Sequence, residues 1–176
     1  MEKNTSKDYM AEALLQLMAE KDLNSITVND IARKSGLSRA TWFRHFESKR
    51  DAIVYALCRR WDYWAEEHQL KHPNLICQEN IDSFIDYAYY MRNIRKLLEY
   101  NNLHSTILDS FLTILVENNE PDNTEDFMRR TFVTYGITGI IEAWAFDKYK
   151  LPKEEVAGFL KTLISNNITE GLFKNL

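Results

Sequence analysis

The stretch TVNDIARKSGLSRATWFRHFESKR, Thr27 to Arg50, decides the fold. Thr27 carries the hydroxyl of a helix N-cap, and Asp30 stands three residues on, where a capping box places an acid. Val28, Ile31 and Ala32 share one helical face, so the spacing predicts a helix over Val28 to Lys34. Ser35-Gly36 ends it, because Gly36 is free to take the left-handed conformation that a sharp turn needs. Leu37 plugs the angle. Ser38 caps a second, short helix from Arg39 to His45 or Phe46, and Ser48 caps a third that begins at Lys49. Two short helices joined by a tight turn are the layout of a helix-turn-helix, whose second helix enters the DNA major groove.

Upstream, Tyr9, Met10, Ala13, Leu14, Leu17 and Met18 recur at helical spacing and predict a helix from Thr5 to Lys21. Lys3 and Lys7 near its start either form an arm that touches phosphate or stay solvated. Downstream, Ile53, Val54, Leu57, Trp61 and Trp64 predict a long helix from Lys49 to about Leu70, broken by His72-Pro73. A fifth helix is expected over about Gln78 to Tyr100 and a sixth over Leu103 to about Asn118. The polar loop ENNEPDNT, Glu117 to Thr124, separates these from a helix over Glu125 to Lys148. Leu151-Pro152 opens the last helix, Lys153 to about Glu170, with Gly171 after its end. The expected fold class is all-α, about nine helices in total. A helix-turn-helix domain over 1–48 would precede a helical domain over 49–176.

Composition agrees with this outline. With 176 residues the chain is long enough for a real core, and 5 Gly and 3 Pro are too few for a turn-rich all-β fold. The two cysteines, Cys58 and Cys77, lack metal spacing and are read as reduced and structural. No apolar run is long enough for a membrane span, and MEKNTSKDYM lacks the apolar core of a signal peptide, so a cytoplasmic location is expected. The net charge of −4 argues against nucleic acid only until it is divided. Residues 1–60 carry +3 and residues 61–176 carry −7. Contact with phosphate depends on local charge, and the basic part holds the helix-turn-helix.

Over about residues 9–57 the chain resembles the tetracycline-repressor (TetR) family. The resemblance runs without a gap through Ile26-Thr27, Ile31-Ala32, Ser35-Gly36-Leu37-Ser38, Thr41, Phe43, His45-Phe46 and Ser48-Lys49. It implies an all-helical protein with an N-terminal three-helix DNA-binding unit. It also implies a C-terminal helical domain that dimerises and usually holds an effector. Ala40 replaces a frequent Gly, and Phe43 replaces a Tyr whose hydroxyl usually meets a phosphate. Trp42 stands where the family has a smaller aliphatic residue, and reads as a core plug. The segment GITGIIEAWAFDKYKLPKEEV more weakly resembles the branch of the family that contains a dihydroxyacetone-kinase activator. That likeness raises a protein partner as an alternative to a small molecule.

Chemistry suggests the roles. Arg39 and Arg44 are forked donors suited to guanine O6 and N7, or to phosphate. Ala40 can approach a thymine methyl, and Thr41 either a thymine methyl or a phosphate. His45 and Lys49 match family positions that hold phosphate, and Thr27 and Asn29 would anchor the backbone. Ser38 and Phe43 complete the expected DNA-facing set. Trp64, Phe84, Tyr87, Tyr90, His104, Phe111 and Trp144 either line an effector pocket or fill the core. An apolar or aromatic effector would suit them. The helix from Glu125 is apolar nearly all round, which implies burial on several sides. Phe132, Tyr135, Gly136, Gly139 and Ile140, with Phe159 and Leu163 of the last helix, are the expected dimer interface. These helices could instead complete a monomer core, but a single head would read only a half-site.

No phosphate loop, nucleophile elbow or metal motif occurs, and the four histidines are scattered. No enzyme, cofactor or metal is expected. The leading expectation is a homodimeric DNA-binding transcriptional regulator, a repressor released by a small-molecule effector from a near-palindromic operator. The alternative is a helical co-regulator acting through a protein partner.

Overall fold

The computed structural model describes residues 5–71, 73, 79–118 and 121–165. Among them the chain is helical and has no strand, as the sequence predicts. The described residues form nine α-helices: α1 Ser6–Glu20, α2 Val28–Ser35, α3 Arg39–His45, α4 Lys49–Glu67, α5 Ile81–Tyr90, α6 Arg92–Tyr100, α7 Ser105–Leu112, α8 Thr124–Phe146 and α9 Lys153–Ser165. A 3-10 turn at Leu23–Ser25 joins α1 to α2, and a π-helical turn at Thr113–Glu117 continues α7. No helix among the described residues is long and apolar enough to cross a membrane.

The helices form two compact units, and these do not follow a boundary at residue 48. One unit takes the chain up to Trp61 together with Asn93–Ser110; the other takes Asp62–Arg92 and the chain from Phe111 on. The first part of α4 joins the N-terminal unit because its inner face, Ala52, Ile53, Ala56, Leu57 and Trp61, is buried. Arg59 and Arg60 of α4 also pair with Asp8 and Glu12 of α1. Helix caps locate the start of α4 in the sequence, but they say nothing of the surface against which its inner face packs.

In the N-terminal unit α1 packs on α2 and α3, and α2 packs on α3. Met10, Leu14, Ile26, Ile31, Trp42, Phe46 and Ile53 fill the space between them. Trp42 is 2% exposed and its ring lies 5.1 Å from that of Phe46. A large side chain so buried contributes about 3–5 kcal/mol relative to alanine. Reciprocal capping boxes fix the starts of α1 (Thr5 and Asp8) and α2 (Thr27 and Asp30), and Ser48 and Asp51 exchange the same bonds at α4. Each side-chain cap contributes about 1 kcal/mol.

Gly36 closes α2 at φ 72°, with its amide directed to the carbonyls of Ala32 and Arg33. An L side chain there costs about 1–2 kcal/mol. Gly36→Ala should therefore lower the thermal midpoint by several degrees, although a Cβ would meet nothing within 4 Å. An unchanged melting curve would show that the turn carries no such strain.

Elsewhere the elements differ from expectation in instructive ways. α4 ends at Glu67, where Gln69 takes φ 52° and the Leu70 amide reaches back to the Ala65 carbonyl at 2.9 Å. This left-handed closure comes before Pro73, and His72 lies outside the described residues. The expected fifth helix is two, α5 and α6, divided at buried Met91 without Gly or Pro. The division falls where the chain passes from one unit to the other. The same is true of Ser110 and Phe111, just before the π turn. Neither break has a local sequence signal, because each follows from which unit a face packs into. Consecutive left-handed residues, Lys148 and Tyr149 at φ 58° and 57°, close α8. The end predicted for the last helix, with Gly171, lies outside the described residues.

In the other unit α5 packs on α9 and the π turn packs on α8. Lys153 of α9 pairs with Asp86 of α5 at 2.6 Å, and Lys161 pairs with Asp82. The Trp144 indole donates to the Leu151 carbonyl at 2.8 Å and ties α8 to the start of α9. α8 is two-faced rather than buried all round. Thr134, Ile137, Thr138, Ile141 and Trp144 are buried, whereas Phe132, Tyr135 and Phe146 are exposed.

Candidate nucleic-acid interface

The seven residues of α3 separate cleanly into two faces. Thr41 and Trp42 are buried, as is Phe46 just beyond the helix, and His45 is half-buried. Arg39, Ala40, Phe43 and Arg44 are exposed, and form two i, i+4 rows. Thr27 and Asn29 at the start of α2 and Ser38 before α3 are exposed as well. The Thr41 hydroxyl lies 3.0 Å from Ser38 Oγ, and Ser38 Oγ accepts the Thr41 amide, so both hydroxyls serve the cap. Thr41 keeps only 9% of its surface. Phe43 is 63% exposed.

Charge pairing distinguishes the cations of this unit. Arg33 and Lys21 bind Asp30, Lys34 binds Glu20, Arg59 binds Asp8, Arg60 binds Glu12 and Arg50 binds Asp109. Lys7 lies over the rings of Tyr55 and Phe46, 4.1 and 5.4 Å from their centroids, so it packs as a cation on aromatic faces. Lys3 is outside the described residues. Lys49 donates to the Leu23 carbonyl at 2.7 Å and is half-buried. Among the described residues no carboxylate pairs with Arg39 or Arg44. The exposed face of α3 therefore presents positive charge that no described carboxylate compensates.

The half-buried His45 holds the far end of α3. Its Nε2 lies 3.0 Å from Ser6 Oγ of α1. Burial, with the charges of Arg44 and Lys7, holds the imidazole below the usual histidine value and favours the neutral ring. A buried network then ties α1 to α4. Asp8 accepts from the Thr5 amide and hydroxyl at 2.6 and 2.8 Å, from Tyr55 at 2.8 Å and from Arg59 at 2.9 Å. Burial alone would raise the Asp8 carboxyl, but these bonds outweigh it and hold it below the usual range. Burial and the bond to Asp8 push the Tyr55 phenol up to about 12. These partners are some 50 residues apart in the chain, and no sequence spacing announces them.

The aromatic residues proposed for a pocket do not form one group. Trp64 lies 5.6 Å from Tyr87 and 5.2 Å from Tyr90, and stacks on His68 at 3.8 Å. Phe84 and Phe111 lie 5.0 Å apart, and Trp144 packs with Tyr89 and Tyr149. Phe84, Tyr87, Phe111 and Trp144 are buried and Tyr90 is exposed, all in the C-terminal unit; His104 is exposed and belongs to the other. Of the proposed interface residues, Phe132, Tyr135, Gly136, Gly139 and Phe159 are exposed, and Ile140 and Leu163 are half-buried. Cys58 is buried and its thiol donates to the Ser110 carbonyl at 3.7 Å, and Cys77 lies outside the described residues.

Residues 11–54 match the family model of bacterial regulatory proteins, tetR family, and residues 96–166 match that of a transcriptional regulator C-terminal region. The chain belongs to the tetR family. It is accordingly a DNA-binding transcriptional regulator and not an enzyme. The second match contains the segment GITGIIEAWAFDKYKLPKEEV. A search of curated proteins found no match. Among solved structures, a TetR transcriptional regulator from Rhodococcus sp. RHA1 is similar at 16% identity and a TM-score of 0.60, over 92% of this chain and 97% of that one. The fatty acid degradation regulator FadR from Bacillus halodurans is similar at 14% identity and a TM-score of 0.48, over 93% and 96%. The Rhodococcus likeness extends the all-helical fold across nearly the whole chain.

Proposed function

We propose that this tetR-family regulator is a homodimeric, cytoplasmic repressor that binds a near-palindromic operator through α3 and is released by a small apolar or aromatic effector. One observation carries the DNA reading. Among the described residues, Arg39 and Arg44 on the exposed face of α3 lack carboxylate partners, while the neighbouring arginines of α2 and α4 are paired within the unit. A protein surface that leaves two forked cations beside exposed Ala40 and Phe43 suits a groove lined by phosphates and thymine methyls. Thr27, Asn29 and Ser38 would meet the backbone at the start of α2 and α3. His45 and Lys49 would do so by giving up their contacts with Ser6 and Leu23. Thr41 would act mainly through the cap it shares with Ser38.

Two observations support the dimer. The exposed residues Phe132, Tyr135, Gly136 and Gly139 fall at i, i+3, i+4 and i+7, one stripe along α8. Among the described residues, and apart from its own helix, a Cβ at Gly136, Gly139 or Gly158 would meet nothing within 4 Å, so these helix surfaces are left open to a second chain. The aromatic side chains of the C-terminal unit, Trp64 with Tyr87 and Tyr90 among them, would suit an apolar or aromatic effector.

Selection of duplex fragments by the purified chain, followed by footprinting, tests the reading. The expected result is an imperfect palindrome with half-sites about 34–36 Å apart, bound with steep salt dependence. A stable complex with another protein and no footprint would replace it with the co-regulator reading.

A further inference from the structure

We propose that Arg50 is a further contact to the DNA backbone, one that Asp109 holds in reserve. The inference rests on α3 being the reading helix and adds a residue outside the expected DNA-facing set. Arg50 lies in the first turn of α4, next to Lys49 and four residues beyond the C-cap of α3 at Phe46. It is half exposed, and its guanidinium donates to Ser105 Oγ at 3.1 Å and to Asp109 Oδ2, both on α7.

The neighbouring contacts point the same way. Lys49 donates to the Leu23 carbonyl at 2.7 Å, and the Leu23 amide in turn donates to Asn101 Oδ1 at 3.1 Å. Both cations at the start of α4 are thus held directly or through one residue by the α6–α7 segment. That segment is the part of the N-terminal unit that comes from beyond residue 92. Phosphate and carboxylate compete for the same planar fork of donors. An exposed arginine–carboxylate pair is weak, so a nearby duplex can exchange one anion for the other. While Asp109 keeps Arg50, the protein forgoes one phosphate contact and sets a carboxylate beside the approaching backbone. Movement of α7 away from α4 would deliver Arg50 and raise affinity without any change in α3.

The test compares wild type, Asp109→Asn, Asp109→Ala, Arg50→Gln and the Asp109→Asn/Arg50→Gln double variant on the selected operator and on a duplex of unrelated sequence. Asp109→Asn and Asp109→Ala should tighten both duplexes by about twofold to fivefold. They should also steepen the slope of log affinity against log salt by about 0.9, the value for one added phosphate contact. In the Arg50→Gln background the Asp109 change should have no such effect. Equal tightening with and without Arg50 would overturn the proposal, since removal of a negative charge would then act through the general field. An unchanged affinity and slope in both Asp109 variants would overturn it as well. A wild-type protein that binds neither duplex would instead defeat the reading of α3 itself.

Discussion

Replacing Arg39 and Arg44 together by alanine should abolish sequence-specific DNA binding and leave the fold intact. A bidentate arginine–guanine pair contributes about 1–3 kcal/mol of discrimination, so the two losses should amount to roughly a hundredfold to ten-thousandfold in operator affinity. The thermal midpoint should barely move, because substitutions at exposed positions without partners usually stay within about 0.5 kcal/mol. Both side chains are exposed, and no described carboxylate pairs with either. The single variants separate two roles. Loss of a base contact relaxes preference at one base pair, whereas loss of a phosphate contact weakens all sequences alike and lowers the salt slope by about one unit. Arg44→Lys sharpens the distinction, since lysine keeps a phosphate contact but not the planar fork. Operator binding that survives the double alanine variant would move the reading surface away from α3.

The N-terminal helices were legible because their determinants are local. Thr27 with Asp30, Gly36, and Ser38 each act within four residues, and the structure places each cap and turn where the sequence puts it. Helical spacing likewise turned Ile31 and Ala32 inward, and the family pattern marked Trp42 as a core plug; all three are buried. Illegible features join distant residues. Asp8 with Tyr55 and Arg59, Arg50 with Asp109, and Leu23 with Asn101 are separated by between 47 and 78 positions. The same reason explains the split of the expected fifth helix at Met91, where the chain changes unit without a helix breaker. Thr41 shows a subtler limit. Its side chain suits a thymine methyl by type, but the start of a short capped helix turns it inward to Ser38. α8 misleads in the opposite way. Counting apolar residues predicts burial all round, and only the structure separates the face filled by Ile137, Ile141 and Trp144 from the one left open.

That open face yields the second large expected effect. Gly139→Leu, alone or with Gly136→Leu, should convert a dimer to a monomer without unfolding the chain. Glycine inside a helix costs about 1 kcal/mol relative to alanine, so removing it should favour α8 as a helix. Outside its own helix, the Cβ of the new side chain would meet no atom of the described residues within 4 Å. A merely structural role for these glycines therefore predicts a neutral or more stable protein. Close approach by the α8 of a second copy predicts the reverse for assembly, because the added side chain would wedge the two helices apart. Phe132 and Phe159, 58% and 53% exposed, would then lose the burial that makes such a face tenable. Sedimentation should report half the wild-type mass, with the helical circular dichroism retained. Operator affinity should fall by about a hundredfold or more, since each head would bind its half-site without the effective concentration that linkage provides. Affinity for a single half-site should stay close to that of wild type. A variant that remains dimeric with both leucines in place would show that the two copies meet elsewhere, and the exposed stripe of α8 would need another occupant.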